Sequence, residues 1–460
     1  MIKNIPLFIF SVVLSGCSLS PDYVKPDTVA DGNKQLKAAQ GSHHYSFREM
    51  FAQDEHLAEV LKQAQINNYD LQDGLMRVEM SRAQMYSSIF DLIPGVSFTG
   101  TKSTSMSEMT SPFTGKDVKQ KTKTYQSSLG FDSYEVDIWG KKLSEIDSLS
   151  EESKGDQSLV AALQLTLMSD LANTWYETLS MIKIWHMLTG KIVMLDDIHT
   201  RLKGVNEMER LDPLLLSKFM RGKTSDVTNQ QNLQKEILNR IHKLEYLSGY
   251  RSPWLNEESW KNLSGDYAIQ TVPQSIQSDV IFNRPDVIAA EAKIKAANGT
   301  IGMARAAFLP VFNLFANAYH TSDSFDRVLG NLTDNWTLTP SVIIPIFRWP
   351  KNYANLNYAH SQQALAVVAY RKIVAQGLLD IQDSTNNLRA SEETTATLMD
   401  EVDIHRQNLS KLTTRYEAGY GDLYNLYEAI DLLTSSQFDL ESHRQQVMTN
   451  TIVLLKAIGG

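Results

Sequence analysis

Residues 281–315, IFNRPDVIAAEAKIKAANGTIGMARAAFLPVFNLF, decide how the rest of the chain is read. Asn283 is a good N-cap, and Pro285 suits a first helical turn, where its missing N–H costs nothing. Asp286 and Glu291 set negative charge near the positive end of the helix dipole. Small residues then recur at helical spacing: Ala289, Ala292, Ala296, Gly299, Ala304 and Ala307. Such a face admits the close approach of another helix. Pro310 ends the helix, because the residue before a proline is pushed toward extended backbone. The following VFNLFANAYHTS alternates polar and apolar residues in places and reads as a strand. One element is therefore a helix, Asn283 to Leu309, that runs directly into a strand.

The same grammar stands earlier. Residues 75–98, LMRVEMSRAQMYSSIFDLIPGVSF, read as a helix that stops at Pro94 and becomes a strand. A chain that does this twice is built from two related halves.

Working outward, the first half reads as a helix from about Asp54 to Ile93, then strands Val96–Ser107 and Thr124–Ile138 around a hairpin loop, SEMTSPFTGKDVKQKTK. Lys116, Lys119, Lys121 and Lys123 in that loop suit either anionic lipid headgroups or plain solvation. A long helix follows from Lys141 to about Lys218, roughly 110 Å at 1.5 Å per residue. Leu163, Leu167, Leu171, Thr174, Thr178, Ile182 and Trp185 keep 3-and-4 spacing along it. A reversal is expected at Arg221–Ser225, with a return helix to Gly249. The second half repeats the order: strands Val311–Thr321 and Asn335–Phe347, a long helix from Lys351 to Glu417, a reversal at 418–421, and a return from Asp422 to Leu455. Residue-level echoes support the duplication. Asp137-Ile138-Trp139-Gly140-Lys141 aligns with Phe347-Arg348-Trp349-Pro350-Lys351, and Lys218–Gly222 aligns with Arg415–Gly419.

The domain reading is thus 1–16 a signal segment, 17–53 an extended N-terminal segment, 54–250 the first repeat and 251–280 a link. The second repeat is 281–460. The signal segment carries Lys3, the apolar run Ile5–Leu14 and Leu14-Ser15-Gly16-Cys17, the form of a bacterial lipoprotein lipobox. Cys17 is the only cysteine, so no disulfide forms within the chain and no thiolate metal site exists. Its expected role is lipidation, since acyl chains hold a protein at a membrane by about 0.8 kcal/mol per buried methylene. Ser18 after the cysteine, where Asp would retain a lipoprotein at the inner membrane, points to the outer membrane.

The net charge of −9 argues against nucleic acid as partner. Mean hydropathy is −0.27, and no internal run of 18 apolar residues suggests a spanning helix. No catalytic constellation and no phosphate-binding loop is present, which leaves an enzyme as a distant reading. The adjacent pair His43 and His44, and the group Asp196, Asp197 and His199 on the long helix, read as solvated surface rather than metal ligands.

Three stretches together resemble the outer membrane factor family, the TolC-like exit ducts of bacterial efflux pumps. They are CSLSPDYVKP from Cys17, RPDVIAAEAKIKAANGTIGMARAAFLP from Arg284, and YEVDIWGK from Tyr134. The nearest subgroup is the lipoprotein one associated with RND-type drug and metal efflux. Pro350-Lys351 stands where relatives often have Gly-Arg. The resemblance implies a mainly α chain with membrane β structure. Four strands cannot close a barrel and cannot leave an edge in lipid. Three chains would supply a twelve-stranded barrel, continued by a long helical barrel across the periplasm. It further implies a homotrimer in the outer membrane, a periplasmic adaptor (membrane fusion) protein, an inner-membrane pump, and no cofactor.

Site residues follow from the same resemblance. Tyr416 matches a gating tyrosine three residues before the hairpin glycine. Glu428, nine residues after Gly419, matches an inner acidic ring, while Asn425 and Thr228 occupy positions that are acidic in one branch. Asp226 and Asp422 are further acidic candidates. Threefold symmetry would turn each into a ring able to select cations. The expected function is a passive exit channel for small molecules. The rival is a lipid-anchored periplasmic coiled-coil adaptor or structural protein, which would lack the paired strands.

Overall fold

The computed structural model describes residues 19–28, 47–51, 54–110, 112, 115–204, 213–268, 278–327 and 335–459. Cys17, the signal segment and the His43–His44 pair lie outside the described residues. The helices are α1 (Phe47–Met50), α2 (Glu55–Asn67), α3 (Tyr69–Phe90), α4 (Lys141–Gly204), α5 (Pro213–Ser248), α6 (Pro285–Ala306), α7 (Trp349–Glu417) and α8 (Leu423–Ile458). The strands are β1 (Ser97–Thr110), β2 (Asp117–Val136), β3 (Val311–Ser322) and β4 (Asn335–Ile343). The two helix–strand–strand–helix successions expected from the sequence are present. Among the described residues no helix is long and apolar enough to cross a membrane.

Three expectations are corrected. The helix expected from Asp54 to Ile93 is two helices, because Asn68 is extended (φ −66°, ψ 127°). Its carboxamide oxygen accepts from the Leu71 N–H at 2.9 Å, capping α3, and its amide donates to the Leu247 carbonyl at 2.8 Å. The presumed lysine loop is mostly strand, and only 111–116 lie between β1 and β2. The reversal expected at Arg221–Ser225 is helical, inside α5. Pro213 opens that helix, at the position where a proline fits, and the stretch 205–212 before it lies outside the described residues.

The chain divides into two compact units. The first comprises Met1–Pro26, Arg77–Asp156 and Ala289–Tyr370, and contains the sheet. Its order is β1-β2-β3-β4, antiparallel throughout, so β1 and β4 are the edges. β2 and β3 are joined across the two halves, with a bulge between Phe131 and Tyr134. Gly130 is required beside it: a Cβ there would lie 2.1 Å from the Ala316 carbonyl oxygen.

Alternation along each strand sorts the sheet into two faces. The register places Phe98, Leu129, Phe131, Phe312, Leu314, Trp336, Leu338 and Val342 on one. The other carries Ser97, Thr99, Thr101, Gln126, Ser128, Asn313, Asn317, Thr337 and Ser341, with Phe315 and Tyr319 among them.

The YEVDIWGK stretch now has a mechanical reading. Asp137 accepts from the N–H groups of Lys141 (2.7 Å) and Leu143 (3.0 Å), capping α4. Gly140 takes φ +67° between them. The Trp139 indole donates to the Pro310 carbonyl at 2.8 Å, and Asn352 donates to that of Ala307 at 2.6 Å, so carbonyls freed where α6 ends are received by side chains. Pro350, the departure from Gly-Arg, is the second residue of α7, where it does not interrupt the helix.

The small face of α6 is used as expected. A Cβ at Gly299 would lie 2.6 Å from the Ser144 carbonyl oxygen on α4, and one at Gly302 would lie 2.3 Å from Ser20 Oγ. The segment 19–26 lies against this helix. Arg305 donates to the Leu19 carbonyl at 2.9 Å, and Lys295 sits 4.8 Å from the Tyr23 ring centre. Burial, then the Glu291 carboxylate that its hydroxyl meets, raises the Tyr23 pKa well above the ordinary phenol value.

The second unit comprises Asp27–Met76, Gln157–Ile288 and Arg371–Gly460. The described part of the link is pinned in it by aromatics: Trp260 is fully buried, and Trp254 packs edge-on against Trp175 at 5.5 Å. The RPD triplet is here too. Arg284 makes a two-pronged pair with Asp286 (2.8 and 3.1 Å) and donates to the Ala457 carbonyl near the end of α8 (2.9 Å). Gly377 makes room chiefly for Ile281, since a Cβ there would lie 2.3 Å from Ile281 Cδ1, and would also come within 3.3 Å of the Arg284 guanidinium carbon.

Candidate functional site

The candidate site is the end of the second unit where α7 turns into α8, with the parts of α4 and α5 packed on it. Gly419 (φ +79°) closes α7, its N–H donating to the Tyr416 carbonyl at 3.0 Å, while Tyr420 N–H donates to the Arg415 carbonyl at 3.0 Å. A Cβ at Gly421 would lie 2.6 Å from Tyr416 Cα, so two glycines are needed for so tight a return. Asp422 is the N-cap of α8 and accepts from the Tyr424 N–H at 3.2 Å. Tyr420, between the glycines, is 88% exposed.

Beneath the turn, Leu195, Ile198, Phe219, Leu426 and Ile430 form a buried apolar cluster, with Tyr416 and Tyr427 half-buried against it. Phe219 and Tyr427 meet edge to face at 5.5 Å. The Tyr427 hydroxyl points at Gly222, where a Cβ would lie only 2.0 Å from it. Gly222 therefore aligns with Gly419 between the two halves but is needed for another reason: it admits a neighbouring ring rather than turning the chain. Its resemblance to the second-half glycine is what misplaces the reversal.

Lys191 of α4 is buried beside this cluster, its side chain 6% exposed. Its ammonium lies 2.8 Å from Asp226 of α5 and 2.6 Å from Asp431 of α8, tying three helices. Burial by itself would lower the lysine pKa; the bonds to Asp226 and Asp431 outweigh it and raise the value. Asp226 was expected among the acidic ring residues. It is buried, and its carboxylate is taken by Lys191 within the chain. A carboxylate spent on a buried ion pair offers no free charge to a passing cation.

The other candidates are placed differently. Glu428 is exposed on α8, and the Tyr424 hydroxyl donates to it, which raises the Tyr424 pKa. Lys218 sits 5.9 Å from the Tyr424 ring centre. Tyr416, Asp422 and Glu428 thus share one end of the hairpin, while Asp226 belongs to the interior. Asn425 is exposed, and Thr228 donates to its own helix at the Thr224 carbonyl. Asp196 pairs with Lys223, and His199 packs against Phe219 at 6.1 Å. Among the described residues no cluster of His, Cys, Asp and Glu could hold a metal ion.

Lys191 and Asp431 went unnoticed in the sequence, although a signal existed. Leu188, Lys191, Leu195 and Ile198 keep 3-and-4 spacing on α4, so a lysine stands inside an apolar stripe and needs an anion to meet it.

Residues 277–460 match the family model described as outer membrane efflux protein. The chain is 25% identical over 463 residues to the probable efflux pump outer membrane protein TtgC of Pseudomonas putida, covering 99% of this chain and 94% of that one. The second half of the chain thus matches the outer membrane efflux protein model, and the whole chain is similar to efflux pump outer membrane proteins. A second relative, the solvent efflux pump outer membrane protein SrpC of Pseudomonas putida, is 26% identical over 480 residues, covering the whole of this chain and 98% of that one. The fold matches the crystal structure of the Campylobacter jejuni CmeC outer membrane channel with a TM-score of 0.83 at 19% identity, over 96% of this chain and 95% of that one. In a chain similar to such proteins, the two features that bear on function are the half-apolar sheet and the α7–α8 turn.

Proposed function

We propose that this chain is the outer membrane exit duct of a tripartite efflux system, passing small molecules outward without an energy input of its own. The observation that carries the reading is the sheet: four antiparallel strands, one face apolar and one rich in hydroxyl and amide groups, with no further strand on either edge among the described residues. Unpaired edges in lipid cost several kcal/mol per group, so the sheet needs neighbours. Three copies would close a twelve-stranded barrel, apolar face to lipid and polar face to water. The exposed run Ile344, Ile346 and Phe347 after β4, with Phe347 96% exposed, would be covered by the adjoining copy.

In this reading Cys17 carries the lipid anchor and the helices form the periplasmic duct. A periplasmic adaptor and an inner-membrane pump of RND type dock at the helical end. Tyr416, Asp422 and Glu428 line the constriction. The test is single-channel conductance of purified protein in planar bilayers, with cross-linking to count subunits. Trimeric channels whose ion leakage rises in Tyr416→Ala and Glu428→Gln are expected. A monomer that forms no channels would refute the duct, and unchanged conductance in both variants would remove the gate assignment.

A further inference from the structure

The β1–β2 ribbon continues past the rest of the sheet. β3 leaves β2 at the Tyr125–Ser322 pair, yet β1 and β2 stay paired from Ser103–Thr124 out to Thr110–Asp117. At about 3.4 Å per residue the overhang is about 25 Å long. Its two faces differ sharply. Lys119, Lys121 and Lys123 project on one, next to Lys102, which sits 5.5 Å from the Tyr125 ring centre. The reverse face carries Ser103, Ser105, Ser107, Gln120, Thr122 and Thr124. Both faces are largely exposed, so solubility alone does not explain charge on one side only. Two acids share the lysine face: Glu108 opposite Lys119, and Asp117, which accepts from Thr110 Oγ1 at 2.7 Å. The face keeps a positive excess.

The lysine row lies on the same face as the apolar band, since Phe131 and Leu129 share a side of β2 with Lys123, Lys121 and Lys119, with Ser127 and Tyr125 between them. Period-2 alternation fixes this without regard to detail. Where apolar side chains sit among acyl tails, Tyr125 falls at the interface and the lysines beyond it on that face reach headgroup level. The row lies on the hairpin side, at the far end of the strands from α3 and α4. We infer that this face binds the phosphate groups of phosphorylated glycolipids in the outer leaflet of the outer membrane. Charge complementarity and continuity with the lipid-facing band select that occupant over a soluble anion. The inference rests on the outer membrane reading above.

The test uses full-length protein in detergent, titrated with diphosphorylated lipid A, with dephosphorylated lipid A and with inorganic phosphate, and read by native mass spectrometry. Preferential binding of the diphosphorylated form, weakening with salt, is expected. An ammonium near an anionic surface is worth about fivefold in affinity, so K119Q/K121Q/K123Q should lose about a hundredfold and K121Q about fivefold. K119R/K121R/K123R should retain binding. Unchanged affinity in the glutamine variants, equal binding of dephosphorylated lipid A, or competition by inorganic phosphate at equal concentration would overturn the proposal. Channel conductance is measured on the same preparations. Wild-type protein that forms no channels would count against the duct itself, whereas channel-forming protein whose lipid A binding is unchanged in the glutamine variants would count only against the lipid site.

Discussion

Replacing Lys191 by Met should loosen the junction of α4, α5 and α8 far more than replacing either carboxylate. The ammonium is nearly solvent-free, and so is Asp226, with its side chain 11% exposed; Asp431 is 54% exposed. Lys191→Met leaves the Asp226 charge without its partner, which in buried pairs costs about 3–5 kcal/mol. Asp431→Asn removes only the wet arm, worth about 0–1 kcal/mol. Lys191→Met with Asp226→Asn takes away both buried charges and should recover about 2 kcal/mol of the single loss, as the coupling of a contacting pair. Hydrogen exchange in detergent, followed on peptides covering 185–195 and 424–434, reports the local opening free energy directly. The reasoning is refuted if Lys191→Met protects no less than Asp431→Asn, or if the double variant is no more protected than Lys191→Met.

Three further outcomes follow from the packing. Gly222→Ala should destabilise by about 1–3 kcal/mol through overpacking, and Tyr427→Phe should restore most of it, because the hydroxyl is the atom in the way; paired thermal unfolding curves test the rescue. Arg284→Lys should cost about 1.5–3 kcal/mol despite keeping the charge, since the two-pronged pair with Asp286 and the bond to Ala457 need a planar fork; a lysine variant as stable as wild type in the same melts would contradict this. Stability should fall in alkaline solution. Lys191 has a folded pKa raised above 10.5, so its contribution is complete below that pH and is lost as pH climbs through the folded value; melts from pH 9 upward should show a steeper decline in wild type than in Lys191→Met.

The strand pairs and long helices were legible because their signals are periodic and local. Pro94 and Pro310 mark where helix gives way to strand, and the alternation after them needs no tertiary knowledge. The α7–α8 turn was legible for the same reason, with Gly419, Gly421 and Asp422 each doing what that residue type does at a helix end. Gly222 misled because a glycine forced by a neighbouring ring looks, in sequence, like one forced by a turn. Asn68 offered a local signal, an N-cap three residues before Leu71, that the proline-bounded reading of 54–93 passed over; only its second bond, to Leu247, depends on residues far along the chain. Asp226 was miscast for a related reason: whether a carboxylate faces water or an ammonium depends on which helices meet there, and Lys191 and Asp431 stand 240 positions apart.

The seam between β2 and β3 sets an order on manufacture. Each hairpin has a near partner, but Tyr125 waits for Ser322, about 200 positions downstream, which is a costly closure for a growing polypeptide. A chain released before the second half is complete holds a two-stranded ribbon with neither border occupied. Such a fragment has nothing to zip against except another like itself, so stalled synthesis, more than point mutation, is where this architecture is exposed to clumping.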